Sequence, residues 1–250
     1  MRYTHQLHHD KLIRPRFRWL SAGIFFLIIA IVAVLVGFSG LFDIDKTAFI
    51  AGFFSSLFRI SVAYILAFVL AVAIGLTVSA NSEIEEMFLP ILDVLQSFPS
   101  FVLFPILVVA LKSQPDLVII LVLTITIIWP ILFAIISGVK GRREDLEEAA
   151  TIFGAVRQKK FFNFTLPMLL PSIVTGSIVG WGEGWEFIIG AELLVSTHWG
   201  IGKYLGQLGS SGQNSSLFFG VILLLLFLFL INRILWLPLL HNSTKYQADA

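Results

Sequence analysis

Residues 148–167 read EAATIFGAVRQKKFFNFTLP and form a polar interruption between two long apolar segments. The stretch begins with Glu148, whose carboxylate favours the positive end of a helix dipole. Ala149 and Ala150 follow, and alanine combines high helix propensity with little bulk. Gly154 can adopt the left-handed conformation that ends a helix. The pattern predicts a short surface helix that can approach a partner protein closely, and an ordinary solvated loop is the alternative.

The composition on either side of this stretch is that of a membrane protein. Hydrophobic residues make up 57% of the 250 residues and charged residues only 13%, and the mean hydropathy is +0.91. A soluble domain carries roughly 25% charged residues, so this chain has too little polar surface to cover a water-exposed globule. The sequence contains no cysteine, which excludes disulfides and thiolate metal sites. We expect an integral membrane protein with no metal or cofactor of its own and no nucleic acid as a partner.

Six apolar segments are long enough to cross a bilayer, which requires roughly 20 apolar residues. They predict an all-α polytopic fold with helices at residues 19–38, 57–80, 88–111, 117–138, 169–190 and 217–240. The first segment is longer than the apolar core of a cleavable signal peptide and is followed by no plausible cleavage site. We therefore expect one transmembrane domain over residues 19–240, with short tails at 1–18 and 241–250.

The basic residues predict the orientation of these helices, because cytoplasmic loops are enriched in Lys and Arg. Five of them lie in the 1–18 tail and six in the 139–168 loop. The connections on the opposite side carry one each, at Lys46, Lys112 and Lys203. We expect the N-terminus, the 139–168 loop and the C-terminus to be cytoplasmic.

The sequence indicates no energy source within the chain. Its longest polar stretch, about 30 residues around the 148–167 sequence, is too short to bury a core of its own. A phosphate-binding glycine loop ending in Lys-Ser/Thr is also absent from the sequence. The apolar segments contain no convincing nucleophile–base pair and no paired histidines, which disfavours an intramembrane enzyme. We expect a transport subunit rather than an enzyme.

The 148–167 stretch resembles the cytoplasmic EAA loop of the inner-membrane permeases of ABC importers. The resemblance rests on Glu148, Ala149, Ala150, Gly154, Leu166 and Pro167. In that family the loop forms a coupling helix that docks on a separate ATPase subunit, which binds the ATP. The resemblance implies a type I importer fold in which two permease copies form the pathway, here expected to be a homodimer. It also implies an external or periplasmic solute-binding protein as a partner.

Three further stretches resemble the nitrate, sulfonate and taurine branch of these permeases. They are Ser56-Leu57-Phe58-Arg59, Phe98-Pro99 with Phe104-Pro105-Ile106-Leu107, and Ala191-Glu192 with Gly200-Ile201-Gly202. The resemblance covers roughly residues 50–240, which we expect to form the permease core. There are two departures: Phe164 stands where the loop usually has isoleucine, and the sequence WGEGWE at 181–186 is not associated with that branch. The second departure leaves the substrate class open.

Three glycines in the 169–190 segment predict close helix packing. Gly176, Gly180 and Gly184 recur every four residues and therefore share one helix face. Side chains as small as these allow the backbones of neighbouring membrane helices to approach each other. We expect this face to meet another helix rather than the substrate.

The same segment carries two carboxylates, Glu183 and Glu186, which lie three residues apart on one helix face. A carboxylate inside the bilayer costs roughly 2.5–3.5 kcal/mol on insertion scales, so both should face a cavity, a partner or water. Trp181 and Trp185 flank them as a possible aromatic wall. We expect these four residues to line the translocation pathway and to favour a cationic or amine-bearing ligand. A gate or a structural hydrogen-bond network is the alternative role, and an ion- or proton-coupled secondary transporter using the two glutamates is the alternative function.

Overall fold

The computed structural model describes residues 42–111, 114–141 and 165–243, together with Phe26 and Gly37. These residues form helices α1 (Lys46–Val78), α2 (Ser82–Gln96), α3 (Leu103–Ala110), α4 (Pro115–Lys140), α5 (Leu166–Leu194), α6 (Ile201–Ser210), α7 (Asn214–Ile231) and α8 (Leu237–Ser243). A 3₁₀ turn at Ser100–Val102 precedes α3, and a π-helical turn at Asn232–Trp236 joins α7 to α8. No strand occurs within these ranges, and the predicted all-α class is confirmed.

Three stretches of the described chain are long and apolar enough to cross a membrane, namely α1, α4 and Asn214–Ser243. They correspond to the predicted segments 57–80, 117–138 and 217–240. The predicted 169–190 segment lies within α5, a helix of 29 residues. The predicted 19–38 segment falls outside the described residues, so the count of six spans stays a prediction.

The predicted 88–111 segment is not one continuous helix. α2 ends at Gln96, and the Ser100–Ala110 stretch continues at an angle of 66° to it. Pro99 lies at the break, where it supplies no backbone N–H and disfavours helical geometry for Phe98. The Ser97 hydroxyl donates to the Asp93 carbonyl at 2.9 Å and so satisfies one of the terminal carbonyls of α2. The two parts form either one broken span or a re-entrant hairpin.

The core of the bundle is centred on α4, which packs against α1 on one side and α5 on the other. Ile127, Ile131 and Ile135 of α4 are fully buried there. Large apolar side chains remain exposed on the outer surface, among them Phe54, Phe58, Ile106 and Phe218. Such an apolar exterior suits hydrocarbon better than water, because burial of apolar surface away from water is favourable.

The first turn of α1 is fixed both locally and at long range. The Asp45 side chain caps the helix by accepting hydrogen bonds from the Thr47 and Ala48 N–H groups at 2.9 and 3.0 Å. The Asp45 N–H donates to the Tyr204 hydroxyl at 3.1 Å. This contact joins the start of α1 to α6, so both lie at the same end of the bundle.

Candidate functional site

A groove of about 410 Å³ opens between α2, α4 and α5. Four polar side chains contribute to its lining, together with the rings of Trp129 and Phe133, and with Pro130 and Val179. The polar residues are Gln96, Ser100, Thr126 and Glu183. The volume falls in the range of roughly 300–1,000 Å³ typical of small-molecule sites.

The break between α2 and α3 positions the first wall of the groove. It places Ser100 next to α4, where its hydroxyl lies 3.2 Å from the Thr126 hydroxyl. Pro130 is one turn further along α4 and has no N–H to donate to the Thr126 carbonyl. The Thr126 carbonyl therefore lacks its usual intrahelical donor, in the same turn of α4 that carries the Thr126 side chain.

Glu183 places a carboxylate in this groove, and Glu186 lies one turn further along α5. Both are exposed in the described chain, and the cost of surrounding a carboxylate with hydrocarbon requires that water, a solute or a partner, not lipid, cover them. On α2, the Gln96 amide donates to the Asp93 carboxylate at 3.2 Å. The groove thus has Glu183 on its α5 wall, with Glu186 nearby on α5 and a third carboxylate, Asp93, close to its α2 wall.

The structure does not bring Trp181 and Trp185 to the surface that carries the glutamates. Trp181 and Trp185 retain only 9% and 4% of their exposure and belong to the core. Trp185 stacks on Phe53 of α1 at 5.7 Å between ring centroids, and Trp181 meets Tyr64 edge-on at the same separation. The two tryptophans lie on the other side of α5 from Glu183. Each is two residues from Glu183 in the sequence, and two residues correspond to a rotation of about 200° around the helix axis.

One face of α5 packs closely against the neighbouring helices at Gly176, Gly180 and Gly184. A Cβ atom added to Gly176 would lie 2.7 Å from the Pro130 carbonyl oxygen of α4, and one added to Gly180 would lie 2.9 Å from the Ile127 carbonyl oxygen. At Gly184 the added atom would lie 2.9 Å from the side chains of Ile127 and Ile60. This geometry supports the packing role predicted for the three glycines.

We expect Gly180→Ala to lower the melting temperature of the purified protein, because its Cβ must displace backbone of α4. Overpacking of this kind costs roughly 1–3 kcal/mol. Gly182→Ala is the matched control, since nothing lies within 4 Å of a Cβ at Gly182, and it should be neutral or slightly stabilising. Equal melting temperatures for the two variants would show that the Gly180 face is not tightly packed.

A buried ion-pair network joins α1 to the end of α5, which are far apart in the sequence. Arg59 of α1 donates through Nη1 to Glu192 Oε1 at 2.6 Å and through Nε to Asp116 Oδ1 at 2.7 Å. Its Nη2 donates to the Trp199 carbonyl oxygen at 2.6 Å. Arg59 and Glu192 retain 4% and 1% of their exposure. The network ties α1 to the start of α4, the end of α5 and the connection to α6.

Both carboxylate oxygen atoms of Glu192 accept further hydrogen bonds. The Ser56 hydroxyl donates to Oε1 at 2.6 Å, and the Gly202 N–H donates to Oε2 at 2.8 Å. Ser56 in turn accepts a hydrogen bond from the Ile201 N–H at 2.9 Å. A Cβ at Gly200 would lie 2.6 Å from the carboxyl group of Glu192, so only glycine fits there. The sequence motifs that resemble the permease family contain these residues, but they do not predict that Arg59 pairs with Glu192. Local spacing carries no signal for a contact between residues 133 positions apart.

The predicted coupling residues lie at the opposite end of the bundle or outside the described chain. Glu148, Ala149, Ala150 and Gly154 fall outside the described residues. Leu166 and Pro167 form the first turn of α5. Lys140, at the end of α4, forms an ion pair of 2.5 Å with Glu85 of α2. The 142–164 segment is therefore anchored on both sides by membrane helices that also line the groove.

Comparison with known proteins places this bundle among transport proteins. The family model described as the binding-protein-dependent transport system inner membrane component matches residues 63–236. The nitrate import permease protein NrtB of Synechocystis sp. is 29% identical over 73% of this chain and 64% of its own length. The taurine transport system permease protein TauC of Escherichia coli is 25% identical over 71% and 64%.

A third relative is the bicarbonate transport system permease protein CmpB of Synechocystis sp., which is 32% identical over 60% of this chain and 54% of its own length. The chain thus spans less than two thirds of the length of the relatives it matches. Their names specify nitrate, bicarbonate and taurine. The three relatives therefore agree on the class of transporter and differ in the solute.

Proposed function

This chain belongs to the family of inner-membrane components of binding-protein-dependent transport systems, and we propose that it is the permease subunit of an ABC importer. The family match over residues 63–236 carries the proposal. The subunit forms the solute pathway across the membrane and couples it to a separate ATPase through residues 148–167. Leu166 and Pro167 join that segment to α5, which supports a direct mechanical connection between the coupling segment and the Glu183 side of the groove.

The groove between α2, α4 and α5 is the proposed half-pathway of one subunit. Its lining residues Gln96, Val179 and Glu183 are exposed, so a second copy facing them would enclose a shared cavity. We propose a homodimer for this reason. In this arrangement Glu183 and Glu186 contribute to the pathway, whereas Trp181 and Trp185 hold α5 against α1.

The Glu85–Lys140 ion pair supports a route for coupling. Lys140 closes α4 immediately before the 142–164 segment, and Glu85 lies in the first turn of α2. The other end of α2 carries Gln96, roughly 16 Å along the helix axis from Glu85. A displacement of the coupling segment would therefore move both the α4 and α2 walls of the groove.

The energy source and the remaining partners are proposed to be separate chains. The ATPase binds the ATP, this chain has no ATPase site or cofactor of its own, and an external or periplasmic binding protein delivers the solute. The transmembrane domain at 19–240 lies in the inner membrane, with its tails at 1–18 and 241–250 and its 139–168 loop on the cytoplasmic side.

The orientation is tested with single cysteines, since the chain has none of its own. We expect Ser211→Cys, at the exposed end of α6, to react with a membrane-impermeant maleimide in spheroplasts. Arg143→Cys should react only after the membrane is opened, because the basic 139–168 loop is retained in the cytoplasm. The reverse pattern of labelling would contradict the orientation.

The proposed partnership is tested by affinity purification of the tagged permease after co-expression with candidate ATPase and binding-protein genes. We expect equal amounts of permease and ATPase, and a particle containing two permease copies. The experiment contradicts the proposal if the permease purifies without any ATP-binding subunit from cells in which every candidate is expressed.

A further inference from the structure

Building on the proposed function, we infer that the groove selects small organic solutes that present an ammonium group. Of its eight described lining residues, Glu183 is the only one that is charged. The other polar lining residues, Gln96, Ser100 and Thr126, are neutral. The described groove surface that meets a solute therefore carries a net negative charge.

Neighbouring carboxylates extend this negative surface beyond Glu183. Glu186 follows one turn along α5 and is exposed on the same side. Asp93 on α2 is exposed and accepts the hydrogen bond of the Gln96 amide at 3.2 Å. Because that amide is directed at Asp93, the carboxylate lies next to the groove wall. Two further carboxylates, one on α5 and one on α2, thus lie near the groove.

The buried arginine of α1 does not compensate for them. Arg59 is held by Glu192, by Asp116 and by the Trp199 carbonyl oxygen. All three of its polar nitrogen atoms are engaged in that network. Its positive charge is therefore committed to the Glu192 network and not to the groove.

Aromatic rings also line the groove, although they are not those of the tryptophans next to the glutamates. Trp129 and Phe133 of α4 both line the groove, with their ring centroids 6.5 Å apart. The faces of aromatic rings attract cations, and tryptophan does so most strongly. A carboxylate on α5 and an indole on α4 are suited to an ammonium group. Nitrate and bicarbonate are anions and would be repelled by this surface.

The inference is tested by charge-selective modification of a single cysteine in the groove. Val179 lines the groove, is 48% exposed and precedes Glu183 by one turn. In membranes containing Val179→Cys, we would measure the rates of reaction with a trimethylammonium-ethyl and a sulfonatoethyl methanethiosulfonate. Each rate is divided by the rate of the same reagent with a small free thiol, which corrects for the intrinsic reactivity of the reagents. The corrected rates at Val179→Cys are then compared with those at Ser211→Cys.

We expect the corrected ratio of the cationic to the anionic rate to be about tenfold or more at Val179→Cys, since a unit charge one turn away acts oppositely on the two reagents. Glu183→Gln should reduce the ratio by several-fold while preserving side-chain shape. Glu86→Gln is the matched control, because Glu86 is exposed on α2 roughly 15 Å from Gln96 along the helix axis, and it should leave the ratio unchanged.

A ratio near one, a preference for the anionic reagent, or equal effects of Glu183→Gln and Glu86→Gln would overturn the inference. Failure of both reagents to react would also overturn it, because solutes could not then enter the groove. The assay requires only the folded permease in a membrane. If the permease does not purify with an ATPase but the ratio of the modification rates is as expected, the proposed function is refuted and the charge preference of the groove still stands.

Discussion

Glu192→Ala is expected to lower the free energy of unfolding of the permease by about 3–5 kcal/mol, because it breaks a buried ion pair from one side. It leaves Arg59 with one carboxylate, at Asp116, whose side chain is 61% exposed. It also leaves the Ser56 hydroxyl and the Gly202 N–H without their acceptor. The measurement is thermal or denaturant unfolding of the purified protein in detergent, followed by tryptophan fluorescence.

Two further variants make this expectation specific to the network. Glu86→Ala removes an exposed carboxylate and should change stability by no more than about 0.5 kcal/mol. Arg59→Met combined with Glu192→Leu removes both buried charges and should be more stable than Glu192→Ala alone. A Glu192→Ala protein as stable as Glu86→Ala would show that the ion pair does not hold the end of α5 to α1.

Ala150→Trp and Gly154→Val are expected to abolish transport without preventing membrane insertion. Bulk at Ala150 would obstruct the close approach of the coupling helix to the ATPase, and valine at Gly154 would resist the turn predicted to end that helix. The readout is ATP hydrolysis by the complex with and without the solute-loaded binding protein. We expect stimulation to fall at least tenfold in both variants.

The matched control for the coupling variants lies in the same segment. Ala155→Ser adds one oxygen atom outside the 148–154 stretch and should preserve both assembly and stimulation. Normal stimulation in both Ala150→Trp and Gly154→Val would refute a docking role for residues 148–154. Loss of the protein from the membrane would instead indicate that these residues are needed for folding.

The sequence predicted the elements of the fold that depend on local pattern. Apolar length located the helices now seen at α1, α4, α5 and α7, and four-residue spacing identified the glycine face of α5. The proline at position 99 is compatible with a break in the 88–111 segment, but the 66° angle depends on how α3 packs against α4. A local pattern fixes where a helix ends more readily than the direction in which the chain continues.

The site was less accessible to sequence reasoning because it is assembled from distant residues. Glu183 was identified from the cost of a carboxylate in a membrane helix, a local signal. Thr126 and Trp129 gave no such signal, since threonine and tryptophan are common in membrane helices and only the packing of α4 brings them to the groove. Trp181 and Trp185 were assigned to the pathway by sequence proximity, whereas helix geometry places them in the core.

The proposed function makes this chain a passive pathway driven by a separate ATPase, as opposed to an ion-coupled carrier using Glu183 and Glu186. The most direct measurement is uptake of taurine, nitrate, bicarbonate and ethanolamine by proteoliposomes containing the permease, its ATPase and its binding protein. For any of these solutes that is taken up, we expect uptake to require ATP, to survive a protonophore and to stop when the phosphate-binding lysine of the ATPase is replaced. Uptake by the permease alone, driven by a proton or sodium gradient without ATP, would contradict it.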